Sequence, residues 1–136
     1  MLSIKLFLST FFFCICLDML WLAVIAKNFY DNQIGFMLRK TGNTLTPQWG
    51  GAIMVYIVIA LGILIFVLPK TQDSYKMALF YGGLFGLVTY GIYDFTNYAI
   101  LAKWPLTVTV VDLCWGIILC STTACFCLVI KKWLTA

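Results

Sequence analysis

The chain contains no glutamate and no histidine, and only 10% of its 136 residues are charged. Soluble domains carry about 25% charged residues, so this composition excludes an ordinary soluble protein. The lack of histidine removes the most frequent catalytic base and the most frequent metal ligand. We therefore expect neither a metal site nor a cofactor, and the composition is typical of a protein embedded in lipid.

Four apolar runs are long enough to cross a bilayer, which takes about 20 residues as a helix. They cover residues 6–26, 47–68, 77–101 and 106–130. Almost nothing remains for a separate soluble domain. The sequence therefore predicts a single all-α membrane domain, residues 1–136, built as an integral membrane four-helix bundle.

The segment between the first two runs, residues 27–51, is amphipathic. Its apolar side chains recur at helical spacing among polar and basic ones: Phe29, Tyr30, Ile34, Met37 and Leu38. This pattern predicts an interfacial amphipathic connector helix between helices 1 and 2. The same segment could instead cover a cavity between the spans.

Three of the aspartates, Asp18, Asp94 and Asp112, lie inside the apolar runs. A charged side chain at the centre of a bilayer costs about 2.5–3.5 kcal/mol on insertion scales, so we expect these side chains to face one another rather than lipid. Counting about 1.5 Å per residue along each helix places all three toward the same leaflet. The sequence predicts a polar pocket in the outer half of the bundle.

Polar and aromatic side chains near the aspartates complete the candidate site. The binding or proton-carrying candidates are Asp18, Asp94, Asn97, Asp112, Tyr93, Lys103, Trp21 and Trp115, with Lys103 and Trp104 at the rim. Gly82 and Gly86 form a small-xxx-small step, which predicts close packing of the last two helices on the inner side of the pocket. The alternative is plain helix packing without a cavity.

Three functions remain open at this point. Buried carboxyl groups can carry protons, which favours proton-linked transport of a small solute. Two carboxyls with different pKa values could act as acid and base on a lipid or isoprenoid, although the usual catalytic groups are missing. In a purely structural role, the aspartates would hydrogen-bond neighbouring side chains and lock the bundle.

The distribution of lysine and arginine bears on partners and on orientation. These residues lie at the ends of the apolar runs, where they meet lipid headgroups, so nucleic acid is not an expected partner. Membrane lipids, a small-molecule or lipid ligand and a second copy of the chain are expected. Five cations lie on the side of the termini and four on the other. With the Lys131–Lys132 pair directly after the last run, this predicts that both termini are cytoplasmic.

Four strings in the sequence resemble a known family. They are Leu17-Asp18-Met19-Leu20-Trp21, Tyr93-Asp94-Phe95-Thr96-Asn97, Lys103-Trp104-Pro105-Leu106 and Val111-Asp112-Leu113-Cys114-Trp115-Gly116. The whole chain is similar to the small bacterial membrane proteins grouped as domain of unknown function 2177. That resemblance implies a four-helix protein of the bacterial inner membrane, and it implies no particular activity.

Overall fold

The computed structural model describes residues 3–136, and within them the chain forms five α-helices and one short β-hairpin. The helices are α1 (Ile4–Leu20), α2 (Lys27–Ile34), α3 (Trp49–Gly62), α4 (Tyr75–Ile100) and α5 (Leu106–Thr135). A π-helical turn, Trp21–Ile25, extends α1, and a second, Ile63–Val67, extends α3 into the 3-10 turn Leu68–Lys70. The hairpin strands are β1 (Lys40–Thr41) and β2 (Thr44–Leu45).

Within residues 3–136, three helical stretches are long and apolar enough to cross a membrane: Ile4–Ile25, Trp49–Lys70 and Leu106–Thr135. The predicted all-α class is confirmed, and the bounds of the predicted runs shift by a few residues. The predicted four-span bundle is not confirmed. Helix α4 has sufficient length with its 26 residues, but tyrosine, glycine, threonine and asparagine residues dilute its apolar content.

The amphipathic connector contains a shorter helix than the sequence predicts. Helix α2 ends at Ile34, and the chain then turns through the β1–β2 hairpin before α3 begins. Gly35, a residue with poor helix propensity, follows the helix. Gly42 lies in the hairpin turn with φ at 62°, a left-handed conformation that glycine adopts without steric cost. The apolar residues at helical spacing past Ile34, Met37 and Leu38, therefore lie in a turn rather than in a helix.

Helices α4 and α5 run antiparallel and approach each other closely at the predicted glycine step. A Cβ atom built on Gly86 would overlap the backbone of Gly116, and one built on Gly82 would lie 2.6 Å from the carbonyl oxygen of Cys120. The predicted close packing is therefore confirmed. The largest fully buried apolar side chains are Ile63, Leu64, Leu119 and Leu128.

The opposite end of the bundle packs differently, because the connector contributes to it. A second apolar cluster joins α2 to the start of α5 there, and it consists of Ala26, Tyr30, Ile34, Trp104 and Val108. This cluster holds α2 against the helices. The connector thereby covers the end of the bundle at which Asp18, Asp94 and Asp112 lie.

Candidate functional site

Asp18 is held by hydrogen bonds from two other helices. The Tyr56 hydroxyl donates to one carboxyl oxygen at 2.7 Å, and the Trp115 indole N–H donates to the other, also at 2.7 Å. Tyr56 belongs to α3 and Trp115 to α5, so this carboxyl group connects three helices. Both of its oxygens have a donor, and the side chain is buried. Asp18 therefore has the hydrogen-bonding pattern expected of a structural connection.

A second chain of hydrogen bonds links the connector to α5. The Trp21 indole N–H donates to the Tyr30 hydroxyl at 3.1 Å, and that hydroxyl donates to a carboxyl oxygen of Asp112. Burial, together with the neighbouring Asp112 carboxylate, raises the pKa of Tyr30, so its hydroxyl keeps the proton that it donates. Trp21 also stacks on Trp115, with ring centroids 4.5 Å apart. These contacts fix the connector against the helices.

The π-helical turn Trp21–Ile25 begins three residues after Asp18. Such turns are rare and frequently occur at functional sites. Here the turn starts at Trp21, the residue that contacts both Tyr30 and Trp115. It therefore lies where α1, the connector and α5 meet.

The hydrogen bonding of Asp94 differs from that of Asp18. Its side chain is completely buried, and neither carboxyl oxygen has a hydrogen-bond partner among residues 3–136. The Asp112 carboxyl lies beside it, close enough for a hydrogen bond if one of the two groups carries a proton. Two carboxylates only accept hydrogen bonds. Asp94 and Asp112 can therefore form a hydrogen bond with each other only if one of the two carboxyl groups carries a proton.

A cavity of about 530 Å³, here called the acidic cavity, opens beneath the connector. Its charged lining residues are Asp18, Lys27, Asp31 and Asp112, and its aromatic lining residues are Tyr30, Tyr90, Tyr93, Trp104 and Trp115. Asp31 also pairs with Lys40 at 2.8 Å on the connector. Acidic side chains outnumber basic ones in the lining of the acidic cavity, and aromatic rings contribute to the same lining.

The structure places the predicted site residues unequally. Asp18, Asp112, Tyr93 and Trp115 line the acidic cavity, as does the predicted rim residue Trp104. Trp21 lies beside it through its contacts with Tyr30 and Trp115, and Asp94 lies behind Asp112. Asn97 does not line the cavity. Lys103, which the sequence predicts at the rim, does not line it either; its ammonium group lies 5.8 Å from the ring centre of Phe36.

Several site residues are absent from the predicted set, among them Tyr30, Tyr56 and Lys27. Tyr56 has the only hydroxyl group between Trp49 and Lys70, a signal that could have singled it out. Lys27 follows Asp18 by nine residues, the same spacing that separates Lys103 from Asp94. Tyr30 is the only residue with a hydroxyl group among the apolar residues named in the connector, and the same signal could have singled it out.

Apolar helices of spanning length around a buried acidic site define this chain as a small helical membrane protein. The sequence model of the family of predicted membrane proteins DUF2177 matches residues 3–129. The chain belongs to that family, and the resemblance seen in its four strings is confirmed. No curated protein and no solved structure matches the chain.

Proposed function

We propose that this protein binds a small organic cation in the acidic cavity and exchanges it for a proton held by the Asp94–Asp112 pair, as the binding step of proton-linked transport. The observation that carries this proposal is the complete burial of Asp94 without a hydrogen-bond donor among residues 3–136. A buried carboxylate without a partner is very unfavourable. A proton shared with Asp112 removes that penalty when the cavity is empty.

The cavity lining indicates what could replace the proton. Asp112 both lines the cavity and lies beside Asp94, so a cation that binds there reaches the protonated pair directly. Tyr90, Tyr93 and the neighbouring tryptophans present aromatic rings, whose faces attract cations and form the usual binding sites for quaternary ammonium groups. One positive charge enters and one proton leaves, so the total charge of the site stays constant.

The structural hypothesis accounts for Asp18 but not for Asp94. Asp18 has a donor for each oxygen and links α1, α3 and α5, as a side chain that locks the bundle should. Asp94 has no donor in the described part of the chain, and a chain selected only for stability would do better with an apolar residue at this position. We therefore assign Asp18 to the framework and the Asp94–Asp112 pair to proton exchange.

The proposal includes an arrangement in the membrane. We infer that α4 crosses the bilayer as a fourth span, since 26 residues extend about 39 Å as a helix and α4 packs along α5. With both termini in the cytoplasm of a bacterial inner membrane, the acidic cavity opens on the outer side. Reporter fusions at the C-terminus and in the β1–β2 hairpin should then report opposite sides of the membrane.

Binding of radiolabelled tetramethylammonium to the purified protein in nanodiscs tests the proposal, because the charge of this probe does not depend on pH. The affinity of the wild type should rise with pH, and binding in weakly buffered solution should release a proton. Asp112→Asn should abolish binding. Asp94→Asn should keep binding but lose both the pH dependence and the proton release.

Asp73→Asn is the matched control, because Asp73 lies outside the cavity and is exposed. It should behave as the wild type does. Size-exclusion profiles and thermal unfolding establish that each variant is folded. Cation binding by the folded wild type that does not vary with pH, or no binding at all, would overturn the proposal.

A further inference from the structure

A second cavity adjoins the acidic cavity, and its lining is apolar. It measures about 720 Å³ and lies between α1, α3 and α4. On α3 it is lined mainly by Gly51, Ala52, Met54, Val55 and Val58. We call it the apolar groove. Among its lining residues the only charged side chain is that of Asp18.

The apolar groove and the acidic cavity share part of their walls. Asp18, Leu22, Tyr90 and Tyr93 line both of them. These residues therefore lie at the boundary between the acidic cavity and the apolar groove. A molecule that occupies both compartments must therefore be polar and cationic at one end and apolar at the other.

The groove also opens toward the side of the bundle. Met54, Val55 and Val58 are each more than half exposed, and a Cβ atom built on Gly51 meets nothing within 4 Å. These side chains belong to a helix long and apolar enough to span the membrane. The groove is thus accessible to chains that already lie in the bilayer.

We propose that the ligand of this protein is an amphiphile whose ammonium headgroup occupies the acidic cavity while its hydrocarbon chain lies in the apolar groove. The proposal rests on the proposed function for the headgroup and adds the chain and its position. The continuity of the two compartments and the excess of carboxylates in the first support this occupant. Each compartment falls within the range of about 300–1,000 Å³ that is usual for ligand sites.

The apolar groove determines which chain lengths the protein accepts, and it adds little to the binding affinity. Lipid tails are as apolar as the groove, so a chain gains little free energy by moving from one to the other. What the groove provides is a place for the chain once the headgroup is bound to Asp112. Blocking the groove should therefore exclude long-chain ligands and leave short ones unaffected.

A photoreactive alkyltrimethylammonium with a diazirine in a long chain tests this, with tetramethylammonium as the chainless probe. The long probe should label α3 and α4 residues of the groove in the wild type. Gly51→Phe fills the groove and should abolish that labelling while tetramethylammonium still binds. Gly50→Phe is the matched control, because a Cβ at Gly50 also meets nothing within 4 Å and Gly50 does not line the groove.

The outcomes separate this proposal from the proposed function. If tetramethylammonium binds through Asp112 but the long probe labels no groove residue, or labels Gly51→Phe as strongly as the wild type, the amphiphile proposal fails and the proposed function stands. If neither probe binds, both fail. Should Gly51→Phe not fold, Val55→Trp fills the same groove from an existing side chain and takes its place.

Discussion

Replacing Tyr56 with phenylalanine removes one hydrogen bond from Asp18 and little else. The Tyr56 hydroxyl lies 2.7 Å from the carboxyl oxygen, and Asp18 is only 6% exposed, so water cannot readily replace the lost donor. Hydrogen bonds between membrane helices reach about 1.7 kcal/mol at most, whereas bonds to charged groups contribute about 1.5–3 kcal/mol in soluble proteins. We expect a destabilisation of about 1.5 kcal/mol, where these two ranges meet.

Equilibrium unfolding by a denaturing detergent in mixed micelles measures this loss. Tyr98→Phe is the matched control, since the Tyr98 side chain is 47% exposed and no hydrogen bond of its hydroxyl is found within residues 3–136. A Tyr56→Phe protein that unfolds at the same detergent fraction as Tyr98→Phe would refute the reasoning. Asp18 would then have no measurable role in joining α1 to α3.

Two further predictions concern the packing of α4 and the end of the bundle near the termini. Gly86→Ala should destabilise the protein by about 1–3 kcal/mol through overpacking against Gly116. Gly91→Ala is the control and should not destabilise it, because its Cβ would lie 3.6 Å from the nearest side chain. The same unfolding assay compares the two variants, and equal effects would contradict the close packing. A hydrogen bond from Lys131 lowers the pKa of Asp73 in the folded protein. The ion pair therefore stabilises the fold at pH values above the unfolded-state pKa of Asp73, and this stabilisation is lost as the pH falls through the lowered pKa. The wild type should therefore be slightly more stable than Asp73→Asn at neutral pH, and thermal unfolding in strong acid should show no difference; a difference that persists in acid would contradict this assignment.

The sequence was sufficient to predict that Asp18, Asp94 and Asp112 meet, because the cost of placing a carboxyl group in lipid applies to any arrangement of the helices. Asp18 and Asp112 indeed line one cavity, and Asp94 lies directly behind Asp112. The close approach of the last two helices could be predicted for a similar reason, since the step from Gly82 to Gly86 allows only small atoms between the backbones. Both predictions depend on local chemistry alone.

The different hydrogen bonding of the aspartates could not be predicted. Whether a carboxyl group has a donor depends on the rotation of each helix about its axis, which the packing of the whole bundle determines. Tyr56 faces Asp18 only because α3 is turned in one particular way. Tyr30 belongs to a connector whose pattern shows an apolar face but not which helix that face contacts, and its bond to Asp112 spans 82 residues of sequence.

The Tyr30 hydroxyl links the connector to the proposed ligand site. It donates to the same Asp112 carboxyl that would receive a cation, so under the proposed function ligand binding and attachment of the connector depend on one side chain. By thermodynamic reciprocity, the factor by which a bound cation changes the attachment of the connector equals the factor by which that attachment changes the cation affinity. Under the proposed function, the amphipathic segment, which its pattern predicts to rest on the membrane surface, would thereby sense whether the site is occupied.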